Sequence, residues 1–209
     1  MDERIARRNE LLAQKTIKGL ESRNISAQYA PTKADALELA LDLIPKDASI
    51  GMGGCMSARE IGLWDALKQG DYGFIDRDLY KDQREALLKT YDADWFLTSA
   101  NSLTDDGVIV NIDGNSNRVS CIAQGPRHVL FIVGMNKVCP DVDSALKRAR
   151  NVAAPINAQR FDVQTPCKKL GRCMDCKSSD TICCNFLITR YSRHKDRMHL
   201  ILVGESLGF

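Results

Sequence analysis

No stretch of this 209-residue chain approaches the 18 or so uninterrupted apolar residues of a membrane-spanning helix. The first residues, M-D-E-R-I-A-R-R-N-E, are charged from the start and hold no apolar core of a secretory leader, so a cytoplasmic protein without a membrane partner is expected. A surplus of charge is also missing. Twenty-nine basic and 27 acidic side chains leave a formal net charge of +2, which gives no electrostatic case for a nucleic-acid partner. Aromatic residues make up 6%, and the three histidines, His128, His194 and His199, stand apart in the sequence without ligand-pair spacing. The glycine motifs are incomplete too: Gly51-Met52-Gly53-Gly54 lacks the full G-x-G-x-x-G spacing, and no G-K-[ST] follows it.

Cysteine, by contrast, is plentiful and unevenly spread. Cys55, Cys121 and Cys139 lie in apolar surroundings, whereas Cys167, Cys173, Cys176, Cys183 and Cys184 crowd into T-P-C-K-K-L-G-R-C-M-D-C-K-S-S-D-T-I-C-C. In a cytoplasmic chain such crowding speaks for metal or redox chemistry rather than disulfides. The spacing C-x5-C-x2-C-x6-C puts two sulfurs on one tight turn and supplies two more nearby, so Cys167, Cys173, Cys176 and Cys183 form a candidate four-sulfur site. Lys168, Lys169, Arg172 and Lys177 flank it and would favour thiolates. Three readings stand: a 4Fe-4S iron–sulfur cluster, a structural zinc, and thiols without metal. Zinc sites usually pair two C-x2-C knuckles and only one is present, which favours the cluster. Spacing does not choose between Cys183 and Cys184.

Outside this segment, helical and strand patterns alternate. Helices are expected from about residue 2 to 23, at 33–40 with Thr32 as cap and Pro45 as stop, at 58–67, at 81–91 and at 142–153, ending near Pro155. Strands are expected at 25–29, 48–52, 71–75, 95–98, 108–112, 129–133 and 198–203. Asp113-Gly114-Asn115 reads as a hairpin turn with 118–123 as the returning strand. The alternation predicts one α/β domain over residues 1–209, with residues 164–185 as a Cys-rich insertion before the last strand.

Several stretches together resemble the LUD-domain (lactate-utilisation) family, in its short form with a C-terminal cysteine motif. I-G-M-G-G-C-M-S-A-R-E-I-G-L is similar to its G-x-G-G-S-x-T-x-x-E-x-G signature. D-W-F-L-T-S-A-N-S-L-T-D-D-G-V-I-V-N-I-D-G-N-S-N-R-V, G-P-R-H-V-L-F-I-V-G-M-N-K-V and R-A-R-N-V-A-A-P-I-N-A are similar to later blocks, and the cysteine stretch to the tail of the short members. Cys55 stands where serine is usual, and Ser116 where glycine is usual. The resemblance implies an open, mainly parallel, Rossmann-like sheet as in sugar-phosphate isomerases and CoA transferases. It also implies a link to oxidation of lactate or another 2-hydroxy acid, as an enzyme or enzyme subunit, alongside iron–sulfur redox partner proteins. A homo-oligomer is compatible with this reading. So is a non-catalytic metabolite or redox sensor, or an assembly module with a structural zinc.

Candidate crevice residues follow from position. Gly53 and Gly54 let backbone N–H groups approach an anion between strand and helix. Ser57 and Glu60 share one face of the following helix, and Glu60 is the candidate catalytic carboxylate by analogy with the glutamate nucleophile of CoA transferases. Asn101 lies in a polar cluster just past a strand. Asn117 and Arg118 follow the acidic turn, and Arg118 is a candidate clamp for a carboxylate or phosphate. Lys137 follows the apolar strand 129–133. A small anionic metabolite is the expected ligand.

Overall fold

The unbroken apolar run at 129–133 becomes the middle of a parallel sheet covered on both faces, as such a run requires. The structure is a computed structural model, and it describes residues 2–209. Its main sheet has six strands, all parallel: β1 (Ser26–Ala30), β2 (Ser49–Met52), β3 (Gly73–Phe74), β4 (Trp95–Thr98), β7 (His128–Gly134) and β10 (Met198–Val203), in the order β1-β10-β7-β4-β2-β3. A smaller sheet, ordered β8-β5-β6-β9, adds β5 (Ser102–Thr104), β6 (Ile109–Asp113), β8 (Val138–Cys139) and β9 (Asn185–Thr189).

Alternating side chains divide the main sheet between two cores. Ile50, Leu97, Leu130, Ile132 and Ile201 face α2 (Lys33–Leu43), α3 (Met56–Glu60) and α4 (Leu63–Gln69). Phe96, Phe131, Val133, Leu200 and Leu202 face α1 (Glu3–Ser22) and α6 (Asn117–Ala123). Each large side chain fully buried there contributes about 1.5–3 kcal/mol. α5 (Gln83–Tyr91) closes that side next to β2, where Gly51 makes room for Thr90: a Cβ at Gly51 would come within 2.4 Å of its methyl group. Thr32 caps α2 in a reciprocal capping box with Asp35. Among the described residues no helix is long and apolar enough to cross a membrane.

The open, mainly parallel α/β sheet is as expected, but four local readings need correction. Residues 118–123 form no returning strand. The Asp113 carboxylate accepts bonds from the backbone N–H groups of Asn115, Ser116, Arg118 and Val119, which winds the chain into α6 instead. The helix expected at 58–67 is two, parted at Gly62 with φ +82°. The helix starting at Val142 does not end near Pro155. It runs on as α7 (Val142–Arg148), a π-helical segment (Ala149–Ala153) and α8 (Ala154–Ala158). Proline has no N–H for the preceding turn, and a locally widened helix accommodates that loss. Finally, the cysteine segment, with its short helix α9 (Pro166–Leu170), precedes β9 rather than the last strand, so it hangs from the smaller sheet.

Candidate functional site

The C-terminal ends of β2, β4 and β7 converge, and chain leaving each carries a polar side chain to one crevice. After β2 come Gly53, Gly54 and Ser57; after β4, Ser99 and Asn101; after β7, Asn136 and Lys137. Crevices of open α/β sheets lie at strand ends of this kind. Lys137 is only 2% exposed. Its Nζ donates to Ser99 Oγ at 3.0 Å and to Ser57 Oγ at 3.4 Å, and the two hydroxyl oxygens are 3.2 Å apart. Burial, together with the charges of Arg148 and Arg118, lowers the Lys137 amine to about 8, against an opposing pull from Cys55 and Glu60.

Arg118 lies beside this group. Its Nη1 donates to Asn111 Oδ1 (2.6 Å) and the Ser99 carbonyl (3.3 Å), and its Nη2 to the Ile112 carbonyl (2.6 Å) and Asn101 Oδ1 (3.0 Å). Both terminal nitrogens are thus engaged by neutral acceptors. The guanidinium organises the crevice wall, and its charge reaches a ligand as a field. Burial lowers its pKa, partly offset by Asp113 and Cys55. Gly53 lets the chain pass closely here: a Cβ would lie 3.2 Å from the Arg118 stem and from Phe96, a tight contact, whereas Gly54 borders open space. Among the described residues neither Lys137 nor Arg118 has a carboxylate within ion-pair distance.

The other candidates occupy the rim. Glu60 accepts from the Gly208 N–H at 3.1 and 3.2 Å and stands 4.0 Å from Lys33 Nζ. Gly208, with φ +50°, lies directly over Ser57 and Lys137, and its neighbour Leu207 is held by the Asn136 amide. Asn117 opens α6, with its carbonyl accepting from Ser120 Oγ. Ser116, where the resemblance would have glycine, sits in the left-handed region at φ +63°. Cys55 is buried, and its Sγ caps α3 by accepting from the Ala58 N–H at 3.4 Å. Sequence reasoning missed Ser99, Asn111, Asp113 and Arg148. Ser99 stands two residues from Asn101 past the same strand, so the strand-end rule could have found it. Asp113 carried only the signal of a turn, and Asn111 and Arg148 none that pointed to the crevice.

The cysteines gather on the far side of β6. Cys183 packs against Val110, Ile112, Ala145 and Ala149. Burial raises its thiol to about 11, and the nearby thiols of Cys173, Cys167 and Cys176 push it the same way. Cys173 Sγ accepts from Asp175 N–H and from Arg150 Nη2, both at 3.5 Å. Arg150, on the π-helical segment, is therefore the cation in contact with the module. Cys184 is exposed, and its Sγ–H points to the Thr181 carbonyl at 3.7 Å. Among the described residues none of the eight cysteines forms a disulfide. Among the described residues no three His, Cys, Asp or Glu side chains are arranged to hold a metal ion. At the opposite ends of the main strands, His128 and His199 meet beside Trp95 after all, with ring centroids 5.8 Å apart.

The family model of the LUD domain matches residues 13–203. A solved structure described as a DUF162 family protein from Deinococcus radiodurans is similar over 93% of this chain and 97% of its own, at a TM-score of 0.52 and 11% identity, which speaks to the fold alone. No curated protein matches.

Proposed function

The chain belongs to the LUD-domain family, and from there we propose that its crevice binds a small anionic metabolite, as an enzyme or subunit in organic-acid oxidation. One observation carries the anion: the side-chain N–H groups of two cations, Lys137 and Arg118, meet in the crevice and donate only to neutral acceptors, with the carboxylates of Asp113 and Glu60 acting on them from beyond ion-pair distance. A buried charge without a counterion is costly, and an anionic ligand supplies the missing partner. A carboxylate or a phosphate meets that need. Lys137 is the direct contact and Arg118 the supporting field, because the Nη groups of Arg118 are already engaged.

The same reading assigns Cys167, Cys173, Cys176 and Cys183 to an iron–sulfur cluster. The donor set fits in kind: the thiols of Cys173, Cys167 and Cys176 all act electrostatically on Cys183, and Arg150 donates to Cys173. A bound cluster would supply one-electron transfer to a redox partner. A zinc ion suits four thiolates as well.

The test joins two measurements on anaerobically purified protein. Iron and sulfide analysis is expected to give both elements in comparable amounts, and a colourless protein with zinc and no sulfide would refute the cluster. Calorimetric titration with lactate, a phosphosugar and a CoA ester is expected to give saturable binding of at least one of them, lost in Lys137→Met. Absence of binding by all three would refute the anion site.

A further inference from the structure

Ser57, Ser99 and Lys137 are held together by contacts that anion binding alone does not require. The three come from separate strand ends, yet each lies within 3.4 Å of the other two. Lys137 and Ser57 are buried, whereas Ser99 is only partly buried. An amine that has given up its proton can accept one from a hydroxyl at 3.0 Å. Ser57, 3.2 Å from Ser99 Oγ, can then donate to the oxygen as it becomes negative. Arg118, bonded to the carbonyl of Ser99 itself, adds positive potential at the same place.

We propose that Ser99 is a nucleophile for acyl transfer, with Lys137 as its base and Ser57 as hydrogen-bond donor to its oxygen, acting on an activated ester or thioester of a small carboxylic acid. In the first half-reaction the Ser99 O–H proton passes to Lys137 Nζ and a bond forms between Ser99 Oγ and the acyl carbon. The bond from that carbon to the leaving oxygen or sulfur breaks, and the leaving group takes the proton back from Lys137. Water then attacks the acyl-serine, giving the free acid and restoring the hydroxyl. This rests on the anion reading in one respect: the carboxylate product is the anion that the crevice cations hold. The amine is poised for the task, since burial and Arg148 and Arg118 depress its pKa while Cys55 and Glu60 raise it.

The test uses the full chain and p-nitrophenyl acetate, with peptide mapping by mass spectrometry. One acetyl group is expected on Ser99, formed at a rate that rises with pH and levels off above about 8, the value to which the Lys137 amine is lowered. Acetylation is expected to fall by ~100-fold or more in Lys137→Met and in Lys137→Arg, which keeps the charge but cannot act as a base. In Ser57→Ala it should fall by about tenfold while remaining on Ser99. Circular dichroism confirms folding of each variant, and should one Lys137 variant fail to fold, the other and the pH profile decide. Acetyl groups on surface lysines only, or an unchanged rate without the Lys137 amine, would overturn the proposal. Binding of an organic acid without Ser99 acetylation sinks the nucleophile and leaves the anion site; acetylation without acid binding does the reverse.

Discussion

The crevice and the cysteine module lie on opposite faces of one strand, and they are built in opposite ways. Along β6, Asn111 turns inward to accept from Arg118, while Ile112 turns outward to pack with Cys183. On the inner side Arg118 Nη1 and Nη2 and Lys137 Nζ donate to neutral amide, carbonyl and hydroxyl oxygens, so the fold itself positions the positive charge. On the outer side Cys183 lies within electrostatic reach of Cys173, Cys167 and Cys176. The difference is one of chemistry. Neutral amides and hydroxyls can solvate a cation, so the protein alone can position the crevice charges. Thiolates repel one another, and only a cation can draw them together.

Replacing the sulfur ligands should therefore have the largest effect. Cys173→Ser combined with Cys176→Ser is expected to abolish bound iron and sulfide, and Cys183→Ser to do nearly the same, while Cys184→Ser retains the metal content. Anaerobic metal and sulfide analysis of the three proteins reads this directly. Equal loss in Cys184→Ser would mean that the exposed sulfur, not the buried one, is the ligand.

On the other face the effect is reversed in sign. Lys137→Met should cost the protein its anion binding yet raise its stability at pH 7 by ~1–3 kcal/mol, because it removes a buried charge with no counterion. The pH dependence follows from the lowered amine. The folded protein begins to lose the Lys137 proton near pH 8, the unfolded chain only near its ordinary 10.5, so native stability rises relative to Lys137→Met across that window. Below pH 8 the penalty is complete, and the gain in Lys137→Met is greatest there. Urea unfolding of both proteins at pH 7 and pH 9.5 checks it; a gain that does not shrink at the higher pH would mean that the amine is not the cause.

Smaller effects belong to the loop that joins the two faces. Ser116 pays for its left-handed conformation, so Ser116→Gly should stabilise the protein by about 0.5–1 kcal/mol in thermal or urea unfolding. The loop also carries Asp113, whose carboxylate accepts four backbone N–H bonds and whose carbonyl accepts from Cys184 N–H at 3.0 Å. Asp113→Ala is expected to cost ~1–2 kcal/mol and to weaken anion binding through displacement of Arg118. Loss of stability with unchanged binding would show that the two faces are independent.

Much of this was legible in the residues themselves. Continuous apolar runs specified the central parallel strands, Thr32 its helix cap, and cysteine spacing a common sulfur neighbourhood, because each of these depends on neighbours in sequence. Residues 118–123 are a helix where the pattern suggests a strand, since D-G-N is a turn signal whether helix or strand follows, and the choice lay with one carboxylate satisfying four amides. The Ser57–Ser99–Lys137 cluster, the field of Arg118 and the separation of Cys183 from Cys184 were decided by tertiary structure alone. Each depends on groups far apart in sequence that meet only when parallel strands end side by side, or when a strand shows one residue to each face.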